Sequence, residues 1–191
     1  MSLAPRRMHY SLAEYLALED ESPIRHEFLD GEIYAIAGGT PDHAALAAAA
    51  IRLVGSRLPR GCRAFTSDLR VRIESTGLTT YPDGAVVCGK TQRSAEDPMA
   101  VVNPVLLIEV TSRSTEEYDR TTKLDHYRSL ASVREVLFVS HAEPLLTLHS
   151  RQPDGSWSCL EARAGESVGL ACTGAALAVD EMYAHGLEDA G

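Results

Sequence analysis

Lysine is nearly absent: Lys90 and Lys123 are the only two among 18 basic side chains, so chemistry that needs an ammonium group has two candidates. Cys62, Cys88, Cys159 and Cys172 are widely spaced and form no CxxC pair, which argues against a zinc ribbon or a thioredoxin-like motif. They are expected to be reduced thiols, mostly packed in strands. His9, His26, His43, His126, His141, His149 and His185 contain no HExxH pair and no zinc-like spacing, so each reads as a surface or packing residue. His43, at a helix start, is the partial exception, as a cap, a substrate contact or a catalytic group. A GxSxG elbow is missing, and no base stands beside Ser112 or Ser114, which disfavours serine hydrolysis. The longest apolar run, Ala44 to Ile51, is far short of the ~20 residues of a membrane span. Arg6 and Arg7 are followed by Glu14, Glu19, Asp20 and Glu21 where a signal peptide has its apolar core. A cytoplasmic protein without membrane contact is the expectation.

What is there is 191 residues, 45% hydrophobic and 24% charged, enough for one globular domain, residues 1–191, without staples. A net charge of −9 argues against a protein that coats nucleic acid by bulk charge, while remaining compatible with an enzyme that acts on it. Ser11 and Glu14 form a capping box that predicts a helix over 11–20. Asp30-Gly31 predicts a hairpin between 27–29 and 32–37. Leu46, Ala49, Ala50, Leu53 and Val54 repeat at helical spacing from Pro41 through Leu58, before Pro59 and Gly61. Leu69, Val71 and Ile73 alternate with Asp68, Arg70, Arg72 and Glu74 as in a half-exposed strand. Tyr81-Pro82-Asp83-Gly84 leads into a second strand, and Val105 to Val110 is apolar throughout except at Glu109, as in a strand buried on both faces. Ser114 and Glu117 predict a capped helix to about Ala131. Glu135 to Ser140 gives another strand, and short strands follow around Pro153-Asp154-Gly155, with a small helix near 175–184. This order describes a mixed α/β sandwich.

Glu109 is the most informative position, because a carboxylate within a buried apolar strand costs several kcal/mol unless it is paired or binds a cation. Asp83 opens a neighbouring strand, with Pro82 fixing the backbone before it. Two carboxylates on adjacent strands can hold one hard cation, and Mg²⁺ is commonly bound this way, with water and substrate phosphate completing its shell. Lys123, one helical turn after Asp119 and one before Tyr127, can point back to the strand ends. There its ammonium could orient a water and offset phosphate charge. Taken singly, Glu109 could be the partner of an arginine, Asp83 a turn residue and Lys123 a solvated charge; their joint order favours a site.

Two other patterns compete. Gly84 to Thr91 satisfies GxxxxGK[ST], but its middle residues are strand-like and no helical periodicity follows Thr91, so no nucleotide cofactor is expected. Arg52, Arg57, Arg60, Arg63, Arg70 and Arg72 face only Asp68 in the same stretch, which reads equally as an exposed helix and strand or as a phosphate-contacting surface.

Pro82-Asp83, then Glu109-Val110-Thr111 within LLIEVTSRST, then Asp119, Lys123 and Tyr127 resemble the PD-(D/E)xK nuclease core. More closely, the chain resembles the Uma-like restriction-endonuclease family. RHEFLDGEIYAIAGGTPDH carries Glu27, Gly31 and His43 at matching places, and VREVLFVS fits the family's aromatic strand. The likeness covers roughly residues 8–150. It implies a restriction-endonuclease-like core, a central mixed sheet flanked by helices, with residues 151–191 as a β-rich extension. It implies hydrolysis of phosphodiester bonds in DNA with Mg²⁺ (or Mn²⁺), the metal held by Asp83, Glu109 and the backbone carbonyl of Val110. Thr111 stands where that superfamily usually has lysine, and the resemblance implies that Lys123 takes its place. Glu27 would hold a second metal or Lys123 itself, and a homodimer is expected. The alternative is a catalytically inactive nucleic-acid-binding or protein-interaction module of the same fold.

Overall fold

A computed structural model describes residues 9–36, 38–113, 115–185 and 187. Helix α1, Leu12–Glu21, opens on the expected box, with Ser11 accepting from the Glu14 N–H and the Glu14 side chain accepting from Ser11. Strands β1, His26–Leu29, and β2, Glu32–Ala35, join through Asp30 (φ 50°) and Gly31 (φ 80°). Two successive positive φ values make the tight hairpin turn that an Asp-Gly pair favours. The second strand stops at Ala35, short of the expected 32–37, and Ala37 lies outside the described residues. Helix α2, Pro41–Gly55, is capped by Thr40, with Pro41 in the first turn, where a missing N–H goes unnoticed.

Two sheets follow. Strands β4, Val71–Ile73, and β5, Leu78–Thr80, complete the order β2-β1-β5-β4. The larger sheet contains β3, Cys62–Thr66; β6, Gly84–Cys88; β7, Leu106–Val110; β8, Glu135–Val139; β9, Leu145–Arg151; and β10, Trp157–Arg163. Its order is β10-β9-β8-β7-β6-β3, and all pairs are antiparallel except β7 with β8. A parallel pair needs a crossover. It is made by α3, Glu116–Tyr118, a π-helical turn at Asp119–Lys123, and α4, Leu124–Ser129. The chain closes with β11, Ser167–Leu170, β12, Ala175–Ala178, and α5, Val179–Met182.

Strand β7 lies at the centre and is buried on both faces, as its apolar run predicts. Leu106, Ile108 and Val110 pack with Leu46, Ala50, Leu53 and Val54 of α2. On the other face Leu107 meets Leu124 and Tyr127 of α4 and Val71, Ile73 and Leu78 of the smaller sheet. Helix α2 crosses the sheet closely at Gly84, where a Cβ would stand 3.3 Å from both Ile51 and Ile108. That close approach seats Ile51, in the C-terminal half of α2, on the start of β6.

Four expectations are corrected. The Arg70/Arg72 alternation does not mark a solvent face: β4 is buried at every residue and so is Arg70 just before it, because both arginines find internal partners. Residues 175–178 form a strand, since pairing with β11 sets Leu177 opposite Val168 in the core; only Val179–Met182 is helical. The helix expected from Ser114 starts at Glu116, with Thr115 at its cap, and Ser114 lies outside the described residues. Cys62 and Cys88 are not reduced thiols: they pair directly across β3 and β6 as a disulfide, a register that a 26-residue separation conceals. Gly84 to Thr91 runs as strand and turn, with no helix opening at Lys90. Among the described residues no helix is long and apolar enough to cross a membrane.

The disulfide leaves Cys159 and Cys172 as the free thiols. Thiol labelling of denatured, unreduced protein is therefore expected to count two groups and to count four after reduction; four before reduction would contradict the pairing. Closing a loop of this length stabilises the fold by about 3 kcal/mol in the chain-entropy account, so reduction should lower the unfolding free energy by that order.

Candidate metal and ion-pair site

Asp83 sits between Pro82 and Gly84 at the start of β6, and its Oδ2 accepts a hydrogen bond from the Val110 N–H at 2.8 Å. That bond ties the two edges of the site, β6 and the end of β7, to one carboxylate. Glu109, in β7, is 4% exposed. Its Oε1 receives both the Tyr127 hydroxyl and the Lys123 ammonium, the latter at 3.0 Å. Lys123 Nζ also lies 2.9 Å from Glu27 Oε1 and 3.7 Å from Asp119 Oδ1. The Thr80 hydroxyl donates to the same oxygen of Glu27. His43, in the first turn of α2, places Nε2 3.4 Å from Asp83 Oδ2. The π-helical turn matters here. It widens the crossover at Asp119–Lys123, and both residues end up buried beside the strand ends.

The electrostatics follow from the inventory. Glu27, Asp83, Glu109 and Asp119 are four carboxylates around one ammonium and one imidazole. Burial pushes Glu109 up to about 8; Lys123 pulls against that shift, while Asp83 and Asp119 add to it. Burial alone would lower Lys123, yet Glu109, Tyr127, Glu27 and Asp119 hold it well above its ordinary value, so it stays an ammonium at neutral pH. Asp119 is raised, chiefly by burial. His43 is raised by its hydrogen bond to Asp83, against its own burial, with further help from the Val110 carbonyl.

A divalent cation fits this donor set. Asp83, Glu109 Oε2 and the Val110 carbonyl are hard oxygen donors, and the cluster carries more negative than positive charge in a place shielded from water. Among the described residues no three acidic, histidine or cysteine side chains form a ready-made cage. A cation here would therefore take two carboxylates and a carbonyl, and draw the rest of its shell from water and substrate, the pattern usual for Mg²⁺.

The site residues expected from the sequence are thus brought together: Lys123 bridges Glu27 and Glu109, and Asp83 is bound to Val110. Thr111 makes no contact of this kind; its hydroxyl lies 3.0 Å from His141 Nδ1. The arginines separate. Arg70 is 9% exposed and bound to Asp97 and to the Tyr81 hydroxyl. Arg72 is 7% exposed and bound to Thr79 and to the Gly77 carbonyl. These two cannot belong to a phosphate-contacting strip, because a buried guanidinium keeps the partners that offset its desolvation. Arg57 is engaged by Glu181 at 2.7 Å, while Arg52, Arg60 and Arg63 are exposed. Arg63 lies opposite Val87, four residues from Asp83 and so about 13 Å along the strand. The sequence reading missed Thr80, the Tyr127 bond to Glu109 and the His43 bond to Asp83. Tyr127 had a usable signal, standing one turn from Lys123; Thr80 had none until strand pairing set it beside Glu27.

The Uma2 family model, which describes putative restriction endonucleases, matches residues 12–180, a span that includes every residue of the cluster. Two uncharacterized proteins of Synechocystis sp. are similar. One is 33% identical over 171 residues, covering 89% of each chain. The other is 31% identical over 150 residues, covering 78% of this chain and 85% of its own. A crystal structure of a putative nuclease from Anabaena variabilis superposes with a TM-score of 0.72 at 18% identity, covering 91% of this chain and 97% of that one. At that identity the likeness is one of fold.

Raised values at Glu109 and His43 act in the same direction on stability. A carboxyl whose folded value exceeds its unfolded one makes the folded state bind the extra proton, so stability falls as pH rises between 4.5 and about 8. An imidazole raised in the fold contributes stability below its unfolded value and loses it on passing through the folded one. Denaturant unfolding of the metal-free protein is expected to give a lower unfolding free energy at pH 8 than at pH 5.5. Glu109→Gln should flatten that slope; a stability that rises with pH, or a slope unchanged in the variant, would contradict the account. Lys123→Met leaves buried carboxylates unpaired and should cost about 3–5 kcal/mol at neutral pH.

Proposed function

The chain belongs to the Uma2 family, and from that premise we propose that it is a metal-dependent endonuclease that hydrolyses phosphodiester bonds in DNA. It has the restriction-endonuclease-like fold, a mixed α+β architecture built on a large mixed sheet. One observation carries the proposal: a buried lysine clamped between Glu27 and Glu109, with Asp83 fixed to the adjoining backbone.

Asp83, Glu109 and the Val110 carbonyl are the groups that would hold Mg²⁺ or Mn²⁺. Bound there, the cation would polarise the phosphate and make water acidic enough to act as the nucleophile near neutral pH. The side chains do the rest. Tyr127 and Lys123 both occupy Oε1 of Glu109, which fixes the carboxylate plane and leaves Oε2 for the cation. Glu27, oriented by Thr80, holds the ammonium in place. Lys123 stays charged, so it acts as a hydrogen-bond donor that orients the attacking water and offsets phosphate charge, not as a base. His43 supports Asp83 from the α2 side. Because Glu109 must lose its proton to bind a cation, affinity for the metal should rise with pH toward 8. Cutting both strands of a duplex calls for two such sites, and a homodimer with two-fold symmetry would supply them.

Nicking of supercoiled plasmid with Mg²⁺ or Mn²⁺ tests the proposal. Asp83→Ala and Glu109→Gln, each checked for folding by circular dichroism, are expected to slow cleavage at least about 100-fold. Unchanged cleavage in either variant removes that residue from the site. Wild-type protein that binds DNA and shifts no plasmid under any metal condition would instead be a non-catalytic module of the same fold.

A further inference from the structure

The sheet face that carries Glu27 grades from buried to open across three strands. Thr80 is fully buried, the Glu27 side chain is 13% exposed, and Tyr34, directly opposite Glu27 in the β1–β2 pairing, is 49% exposed. Directly opposed residues project from the same face with Cβ atoms about 5 Å apart, so the Tyr34 ring stands beside the carboxylate that clamps Lys123. The chain is poor in aromatics, at 6%: of its eleven Phe, Tyr and Trp rings five are buried, five are partly buried and one, Tyr34, is exposed. Tyr34 is the most exposed aromatic side chain among the described residues, and it stands at the mouth of this cluster. Tyr118, half-buried and adjacent to Asp119, lies within electrostatic range of Glu27, Lys123 and Tyr34.

Charge points the same way. A duplex is gripped through phosphates by clustered cations. Here the three exposed arginines of the 52–72 stretch, Arg52, Arg60 and Arg63, lie toward the end of β3 and β6 remote from Asp83, and the chain carries a net −9. A single strand presents less charge, and stacking on an aromatic ring gives it affinity without regard to sequence.

We propose that Tyr34, with Tyr118 behind it, is a stacking platform for an unpaired nucleobase, so that DNA enters this site as a single strand or a locally melted segment. The proposal rests on the nuclease reading above and names the form of its substrate. Stacking on this platform would place the neighbouring phosphate over Lys123, where the carboxylates already orient the ammonium.

Fluorescence anisotropy with labelled oligonucleotides of about 16 nucleotides, single-stranded and duplex, tests it on full-length protein in the Asp83→Ala background, which disables the proposed hydrolysis. The single strand is expected to bind more tightly than the duplex. Tyr34→Leu should weaken single-strand binding by about 5- to 100-fold, the loss of one stacked base, and alter duplex binding less than about twofold. Tyr34→Phe and Tyr34→Trp, which keep a ring, should retain the single-strand affinity. Equal changes on both substrates, no change on either, or Tyr34→Phe behaving as Tyr34→Leu would each overturn the platform. If the wild-type protein cuts plasmid while single-strand binding ignores Tyr34, only the platform falls. If no nucleic acid is bound or cut in any form, the nuclease reading falls with it.

Discussion

The structure turns on one buried ammonium. Lys123 reaches Glu27 on β1 and Glu109 on β7, and so joins the smaller sheet, the central strand of the larger sheet and the crossover that connects β7 to β8. In low-dielectric surroundings such a group is stable only with its partners, and each partner is stable only with it. That mutual dependence explains why the surrounding elements are built to narrow tolerance. Thr80 fixes Glu27, Tyr127 fixes Glu109, and the Asp83 carboxylate accepts the N–H of Val110, the residue next to Glu109. Hydrogen bonds to charged partners are the stronger kind, and here they converge instead of being spread over the surface.

The local irregularities of the fold fall where this ammonium is delivered. A regular α-helix keeps Asp119 and Lys123 one turn apart on a single stripe; the π-helical turn broadens that stripe so that both residues can be buried against the strand ends. On the opposite side of β6, Gly84 admits α2 to within van der Waals contact of the sheet at Ile51, while His43 in the first turn of the same helix reaches Asp83. Neither feature improves packing by itself. A π turn weakens helical hydrogen bonding, and a glycine in a strand gives up side-chain contacts. Both become intelligible as positioning devices for charged groups.

Much of this was legible in the sequence, and what was not has a physical reason. Glu109 announced itself because a carboxylate in an apolar strand demands a partner, and the Asp30-Gly31 turn fixed the hairpin that carries Glu27. Period-two alternation misled at Arg70 and Arg72, because arginine can be buried if carboxylate and carbonyl acceptors meet its several donors, and alternation records polarity without recording acceptors. The Cys62–Cys88 pair and the Thr80–Glu27 bond depend on strand register between distant segments, which no local pattern encodes. The capping box at Ser114 and Glu117 marks where a helix opens and carries no information on its interior, so the π-helical turn at Asp119–Lys123 leaves no trace in that signal.

The scarcity of lysine and the abundance of arginine now have a common explanation. Several arginines of this chain are architectural: Arg70 meets Asp97, Arg151 donates to the carbonyls of Val133, Arg128 and Leu130, and Arg120 reaches Glu116 and Thr147 while lying over Phe138. A planar, multi-donor group suits fixed acceptors of this kind. A compact ammonium serves a different need, because it can sit among several carboxylates at once and present its remaining hydrogens to a small ligand. Placing a buried lysine among Glu27, Glu109 and Asp119 therefore separates two tasks that share a charge. The outward-facing cations are almost all guanidinium groups, Arg25, Arg52, Arg60, Arg63, Arg93, Arg113, Arg134 and Arg163 beside Lys90, so the ammonium of Lys123 is set apart from them by its burial as well as by its chemistry.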